Sequence, residues 1–131
     1  TPNITLLKAR ILNDGGYNNQ ALATLQGFST QSFNTDLEKL EFTYRVGRIN
    51  DDLGKDEDAI AFYLKAIALG ETRTEYYAAR AALQIGQIYE QKGNKKDAIR
   101  FYEQCINMED HDYKNSLDQR AKSGISRCKG E

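Results

Sequence analysis

The sequence predicts an all-α fold, a solenoid of about seven antiparallel helices arranged as three helix pairs and a terminal capping helix. Three observations carry that prediction. First, the chain repeats itself. A shift of 39 residues sets Gly47 on Gly86, Ile49 on Ile88 and Gly54 on Gly93. The same shift sets Asp58, Ala59 and Ile60 on Asp97, Ala98 and Ile99, and Phe62, Tyr63 and Ile67 on Phe101, Tyr102 and Ile106. Small residues meet small and apolar meet apolar at helical spacing, as in a stack of equivalent helix pairs. Second, no segment alternates apolar and polar residues over the length of a strand. Third, Pro2 is the only proline, so nothing breaks the helices from within.

The first helix is predicted from about Thr5 to Asp14, where Gly15 and Gly16 end it by offering the left-handed backbone that closes a helix. The second runs from about Asn18 to Gln26. Ser29 to Thr35 then has the composition of a loop. Thr35 with Glu38 forms a capping box, so the third helix starts there and runs to Leu53, stopping at Gly54. The fourth spans about Asp56 to Leu69, with acidic residues in the first turn where the helix dipole favours them, and Gly70 ends it. Thr72 with Glu75 reads as a second capping box, opening a fifth helix that reaches about Lys92. Gly93 and Asn94 make a turn into the sixth, about Lys96 to Met108. After the polar link Glu109 to Asp112, the seventh helix covers about Tyr113 to Lys129. Leu117, Ala121, Ile125 and Cys128 form one apolar stripe on it, and its other face is polar, which suits the exposed end of a stack.

The spacing also assigns roles inside each pair. Two helices joined by a three- or four-residue turn pack antiparallel, and only Gly or Ala fits where their axes come closest. Gly47 and Gly86 supply that contact on the first helix of a pair, and Ala59 and Ala98 on the second. Tyr63 and Tyr102 fill the wider gap towards the next pair. These residues belong to the core. Cys105 stands where the preceding repeat has Ala66, so it reads as a small buried apolar residue, and the role of Cys128 is open. Two cysteines are too few for a disulfide framework or a structural zinc site.

At 131 residues the chain is expected to be one domain, residues 1–131, with repeats at about 2–35, 40–73 and 79–112 and the capping helix at about 113–129. Lys and Arg total 18 and Asp and Glu 19, a balance that argues against a dedicated nucleic-acid binder. No apolar run approaches a membrane span. The chain has neither an initiating Met nor a leader, so it reads as a soluble piece of something longer, with cytoplasm and export both open. No catalytic constellation is visible, and no cofactor is implied. His111 is the sole histidine, and Glu109-Asp110-His111-Asp112 is read as a solvated link and not a metal cluster, since metal ligands need fixed geometry. The acidic run from Asp51 to Asp58 lacks the alternating ligand order of a calcium loop. Asn3-Ile4-Thr5 is a sequon of a length that arises often by chance.

The repeat resembles the tetratricopeptide repeat, whose pattern runs from Leu-Gly-x-x-Tyr through Ala-x-x-x-Phe over 34 residues. Ile85-Gly86-Gln87-Ile88-Tyr89 and Ala98-Ile99-Arg100-Phe101-Tyr102 fit it, with Ile for Leu and Tyr for Phe. Val46-Gly47-Arg48-Ile49-Asn50 and Ala59-Ile60-Ala61-Phe62-Tyr63 fit one repeat earlier, apart from Asn50. A third copy lies 38 residues upstream, where Ile11, Gly16, Ala21 and Ala23 match Ile49, Gly54, Ala59 and Ala61. There Leu25 takes the aromatic slot and Ala9 the glycine slot. The chain departs from the pattern in lacking the early tryptophan and the terminal proline, and in a period of 38 to 39. The extra residues fall between repeats, at Gln26 to Asp36 and Gly70 to Tyr77. Sel1-type repeats also have long periods, but Gly54-Lys55-Asp56 and Gly93-Asn94-Lys95 leave no room for their turn insertion.

The resemblance implies a right-handed stack in which the first helix of each pair lines a concave groove that binds protein or peptide. By position, that lining is Leu6, Arg10 and Asn13, then Glu41, Tyr44, Arg48 and Asp51, then Arg80, Leu83, Gln87 and Glu90. Arg10, Tyr44, Arg48, Asp51, Arg80, Leu83 and Gln87 are the candidate contacts, and the arginines favour an acidic segment. The clamp that grips chaperone C-termini is not matched, because its slots hold Leu6, Arg10, Tyr44 and Arg45. The function expected is therefore that of a non-enzymatic protein-binding scaffold. Its alternatives are a structural spacer, a domain that self-associates weakly through the terminal helix, and the substrate-recruiting arm of a larger enzyme.

Overall fold

The structure is a computed structural model that describes residues 3–131. Pro2, at which the first repeat was expected to open, lies outside the described residues. The described residues form seven α-helices and no strand. They are α1 (Ile4–Asp14), α2 (Asn18–Leu25), α3 (Asp36–Asp52), α4 (Asp56–Gly70), α5 (Tyr77–Gln91), α6 (Lys95–Asn107) and α7 (Lys114–Lys129). A 3-10 turn, Thr30–Ser32, lies between α2 and α3. The chain divides into two compact units within α4: one extends to Ala66, and the other runs from Ile67 to Glu131.

In the first unit, α1 opens on Asn3, whose side chain accepts from the Leu6 amide at 3.1 Å. Gly16, at φ 86°, turns the chain into α2. The Thr35–Glu38 capping box forms as the sequence predicts: the Glu38 amide donates to Thr35 Oγ1 at 3.1 Å and the Thr35 amide to Glu38 Oε1 at 3.3 Å. Leu6 and Ala9 of α1, Ala21 and Leu25 of α2, and Phe42, Val46 and Ile49 of α3 share one apolar core. Phe33 joins it, although its surroundings read as a polar loop. Its ring packs between Phe28 and Phe42, with centroids 5.9 and 5.2 Å away. One buried aromatic thus anchors the connection that lengthens this repeat.

In the second unit, α5, α6 and α7 pack on one another. The expected Thr72–Glu75 capping box does not form. Helix α5 begins five residues after Thr72, with Tyr76 at its N-cap and no side chain capping it. Glu75 instead accepts from Arg73 Nε at 2.8 Å. The Asp112 amide donates to the Thr74 carbonyl at 2.8 Å, and Tyr113 meets Tyr76 edge-on at 5.6 Å. The segment before α5 is thereby tied to the link before α7 and cannot continue the helix. Helix α6 starts on Asn94, which accepts from the Asp97 amide at 3.2 Å. Cys105 is fully buried, and burial pushes its thiol up to about 12. Helix α7 buries Leu117, Ala121, Gly124 and Cys128, while Ile125 is only half-buried.

The recurrence of Gly47 and Gly86 at the 39-residue step has a different cause from the expected one. A Cβ on Gly47 would stand 2.7 Å from the Tyr63 ring, and one on Gly86 2.6 Å from the Tyr102 ring. What each glycine admits is the flat face or edge of a tyrosine from the second helix of its own pair. Tyr102 also fills the gap to the next helix, as expected, because a Cβ on Gly124 would collide with the opposite edge of its ring. The two tyrosines are also tethered alike. Tyr63 donates to Asp51 Oδ2 at 2.8 Å, and Tyr102 to Glu90 Oε1 at 2.6 Å. The tyrosine recurs at the 39-residue shift, and the carboxylate recurs with Glu90 in place of Asp51. Burial, then the neighbouring carboxylate, hold both phenols far above their ordinary range, so each remains a donor.

Candidate binding faces

In the first unit, the predicted lining belongs to α1 and α3. Arg10 is exposed, and Leu6 and Asn13 are buried. Asn13 sits in a polar network: its amide donates to Asp52 Oδ2 at 2.7 Å and to Asn18 Oδ1 at 2.9 Å, and its oxygen accepts from Arg45 at 2.8 Å. Tyr44 is only 3 % exposed, packs 6.1 Å from the Tyr63 ring, and carries Arg45 over its own ring. A ligand cannot use it as placed, so this expected contact is core. The error is one of register, since the sequence pattern alone does not say which side of a long first helix meets the next tyrosine. Arg48 is half-buried and lies 3.9 Å from Asp52. Asp51 is engaged by the Tyr63 hydroxyl.

In the second unit, Leu83 is fully buried in the middle of α5 and is likewise core. Arg80 is half-buried, and its Nε is buried without a hydrogen-bond partner among the described residues. Gln87 is half-buried and lines two open clefts. One, of about 300 Å³, is formed with Glu90, Gln91 and Arg127. The other, of about 240 Å³, is formed with Gln119, Arg120, Ser123 and Arg127. Arg127 donates to Glu90 through Nε at 2.9 Å and Nη2 at 3.1 Å. That bond, helped by the Tyr102 hydroxyl against the effect of burial, lowers the Glu90 carboxyl below its ordinary value. The same pairing raises the Arg127 guanidinium.

The residues of α7 were missed because the sequence reading treats that helix as a cap. A signal was present. Gly124 stands 38 residues after Gly86, the same step that relates the first two repeats, and its neighbours then take the positions of a first helix.

Among the described residues no three His, Cys, Asp or Glu side chains converge as a metal group. His111 Nδ1 lies 2.8 Å from the Asp112 carbonyl. No helix among them is long and apolar enough to cross a membrane.

A family model described as tetratricopeptide repeat matches residues 39–109, more than half of the chain. A search of the curated proteins matched no relative. Repeats of this family generally mediate protein–protein interaction and are typically non-enzymatic. The match runs from the first turns of α3 through the link before α7, and so takes in both glycine–tyrosine pairs. The recurring helix pairs, the tyrosines seated on glycines and this match agree: the chain belongs to the tetratricopeptide repeat family.

Proposed function

We propose that this chain is a non-enzymatic docking module, and that the first-helix face of its second unit takes an extended acidic protein segment. The observation that carries this reading is the pair of open clefts that share Gln87 and Arg127. Their lining suits the task. Arg120 and Arg127 offer planar forks that fit carboxylates, and Gln87 and Gln119 offer amides that both donate to and accept from a peptide backbone. Glu90 holds the Arg127 guanidinium in one orientation, which reduces the side-chain entropy lost on binding. Arg10 and Arg48 give the first unit cationic positions on its own first helices. The expected contacts Tyr44 and Leu83 have no part in this face, because both are buried.

The test is an array of extended peptides graded from acidic to basic, probed with the chain and with an Arg120→Ala/Arg127→Ala variant. Acidic peptides should bind, and affinity should fall as salt rises, because exposed charge pairs are screened. The double substitution should weaken binding about tenfold, roughly 1.4 kcal/mol, with the melting temperature nearly unchanged. Equal retention of the same peptides by both proteins would refute the assignment.

A further inference from the structure

We propose that the groove between α2, α3 and α4 in the first unit takes an aromatic side chain from a partner protein segment, with a basic residue two positions away on that segment. The groove holds about 420 Å³. Leu25, Phe28, Phe42 and Phe62 give it apolar walls, and Asn50 and Asp58 line it beside them. Phe28 keeps 41 % of its surface exposed.

The following repeat says what fits. At the 39-residue shift Asn50 corresponds to Tyr89 and Phe62 to Phe101. In the second unit the Tyr89 ring stacks on Phe101, with centroids 5.7 Å apart and planes 21° from parallel. Asn50 has no ring to do this. Its side chain turns back on its own helix, where Nδ2 donates to the Val46 carbonyl at 2.9 Å. Phe62 is thus left half-buried beside an open groove. A second group is missing in the same place. Asp58 corresponds to Asp97, and Ala61 to Arg100. Arg100 pairs with Asp97 at 3.2 Å and lies over the Phe101 ring at 4.7 Å. Lys65 takes over the cation's place above Phe62, at 4.6 Å. Asp58 is nevertheless exposed and makes no ion pair among the described residues. The repeat that lacks the ring therefore also lacks the guanidinium for its carboxylate.

A partner that brings a ring and a cation replaces both. The ring stacks on Phe62 in a dry, apolar surrounding, and the cation pairs with Asp58. Helix geometry sets the spacing on the partner. Asp58 and Phe62 are one turn apart on α4, about 6 Å along its axis. In an extended segment, residues two apart point the same way and lie about 7 Å from each other. An aromatic residue, any residue and then Arg or Lys meets both groups. This charge is opposite to that of the segment assigned to the second unit, so the two faces select different partners and stand independently.

The test follows the backbone amides of the full chain by NMR as a Gly-Ser peptide carrying one Phe-Ser-Arg sequence is added. Peptides with Phe-Ser-Glu and Ala-Ser-Arg serve as controls. The Phe-Ser-Arg peptide should shift the amides of Gly27, Asn50 and Phe62, and both controls should bind there about tenfold more weakly. Asn50→Tyr supplies the ring from within and should weaken Phe-Ser-Arg binding about tenfold. Asn50→Ala leaves the groove open and should not. Asp58 is exposed, so Asp58→Lys leaves the fold intact, and it should reverse the order of the Phe-Ser-Arg and Phe-Ser-Glu peptides. No shift at about 1 mM Phe-Ser-Arg peptide, equal affinity for the three peptides, or binding that Asn50→Tyr leaves unchanged would overturn the proposal. So would sedimentation showing a dimer that Asn50→Tyr dissolves, since the groove would then belong to a second copy.

Discussion

Glycine at residue 86 acts through the side chain it lacks. Its place is taken by the Tyr102 ring, whose other edge rests on Gly124. Adding even one methyl group on either glycine forces a buried ring, 0 % exposed, to move. Gly86→Ala and Gly124→Ala should each destabilise by about 1–3 kcal/mol, the usual range for overpacking. The exposed Lys96→Gln should stay within about 0.5 kcal/mol. The cause is tested by a cycle in denaturant melts. In a Tyr102→Leu background the cost of Gly86→Ala should shrink, because the colliding ring is gone. Glu90 yields a second expectation at this scale. Its folded-state pKa lies below the ordinary 4.5, so the native state holds the charged form and stabilises the fold above that pH. The contribution is lost as pH falls through 4.5 and the folded value. Glu90→Gln should therefore flatten the acid limb of stability and leave the alkaline limb unchanged, as melts at stepped pH would show. The effect is small, because its Arg127 partner is 55 % exposed and the pair is screened.

At the scale of elements, helix starts separate what local sequence controls from what tertiary contacts control. Thr35 and Glu38 stand at capping-box spacing, as do Thr72 and Glu75. Only the first pair forms the box. Glu38 stays on the Thr35 amide and the adjacent Asn34 amide, whereas Glu75 is drawn to Arg73 and the Thr74 carbonyl to the Asp112 amide 38 residues on. Thr35→Ala should thus cost about 1 kcal/mol in a denaturant melt, and Thr72→Ala about 0.5 kcal/mol or less. The same division explains how much of the chain was legible. Helix existence and order and the α3 cap follow from spacing within one or two turns, and the burial of Cys105 follows from its match to Ala66 one repeat earlier. The seating of tyrosine on glycine, the anchoring of Phe33 and the burial of Tyr44 and Leu83 depend on which side of a helix meets which neighbour. A first helix flanked on both sides buries more of its circumference than a simple amphipathic stripe suggests, so two of the seven candidate contacts fell into the core. The place of α7 as a further first helix shows in the 38-residue step from Gly86 to Gly124 and in the Tyr102 ring that fills the space at both glycines.

At the scale of the whole molecule, charge decides which partners the arginines can serve. The chain carries 18 Lys and Arg against 19 Asp and Glu, a formal net charge of −1. Affinity for nucleic acid rises with the number of phosphates neutralised, each releasing condensed counterions, and a protein needs several contacts in line to exploit this. Here the cations are interspersed with acids. Arg127 is paired with Glu90, Arg100 with Asp97, Lys114 with Asp118, and Arg48 lies near Asp52. An approaching duplex would meet those carboxylates as well as the guanidinium groups. A short flexible peptide can instead place single carboxylates on Arg120 and Arg127 and keep clear of the acids around them. The expected outcome is selective. At about 0.15 M salt, where screening acts over about 8 Å, the chain should leave the electrophoretic mobility of a duplex DNA oligonucleotide unchanged. At the same salt it should still bind an acidic peptide. Retarded DNA would mean that the arginine face works as a polyanion surface, and the segment-docking assignment would then fail on specificity. Arg120→Ala/Arg127→Ala distinguishes the cases further, because it should weaken peptide binding about tenfold and leave the DNA result as it was.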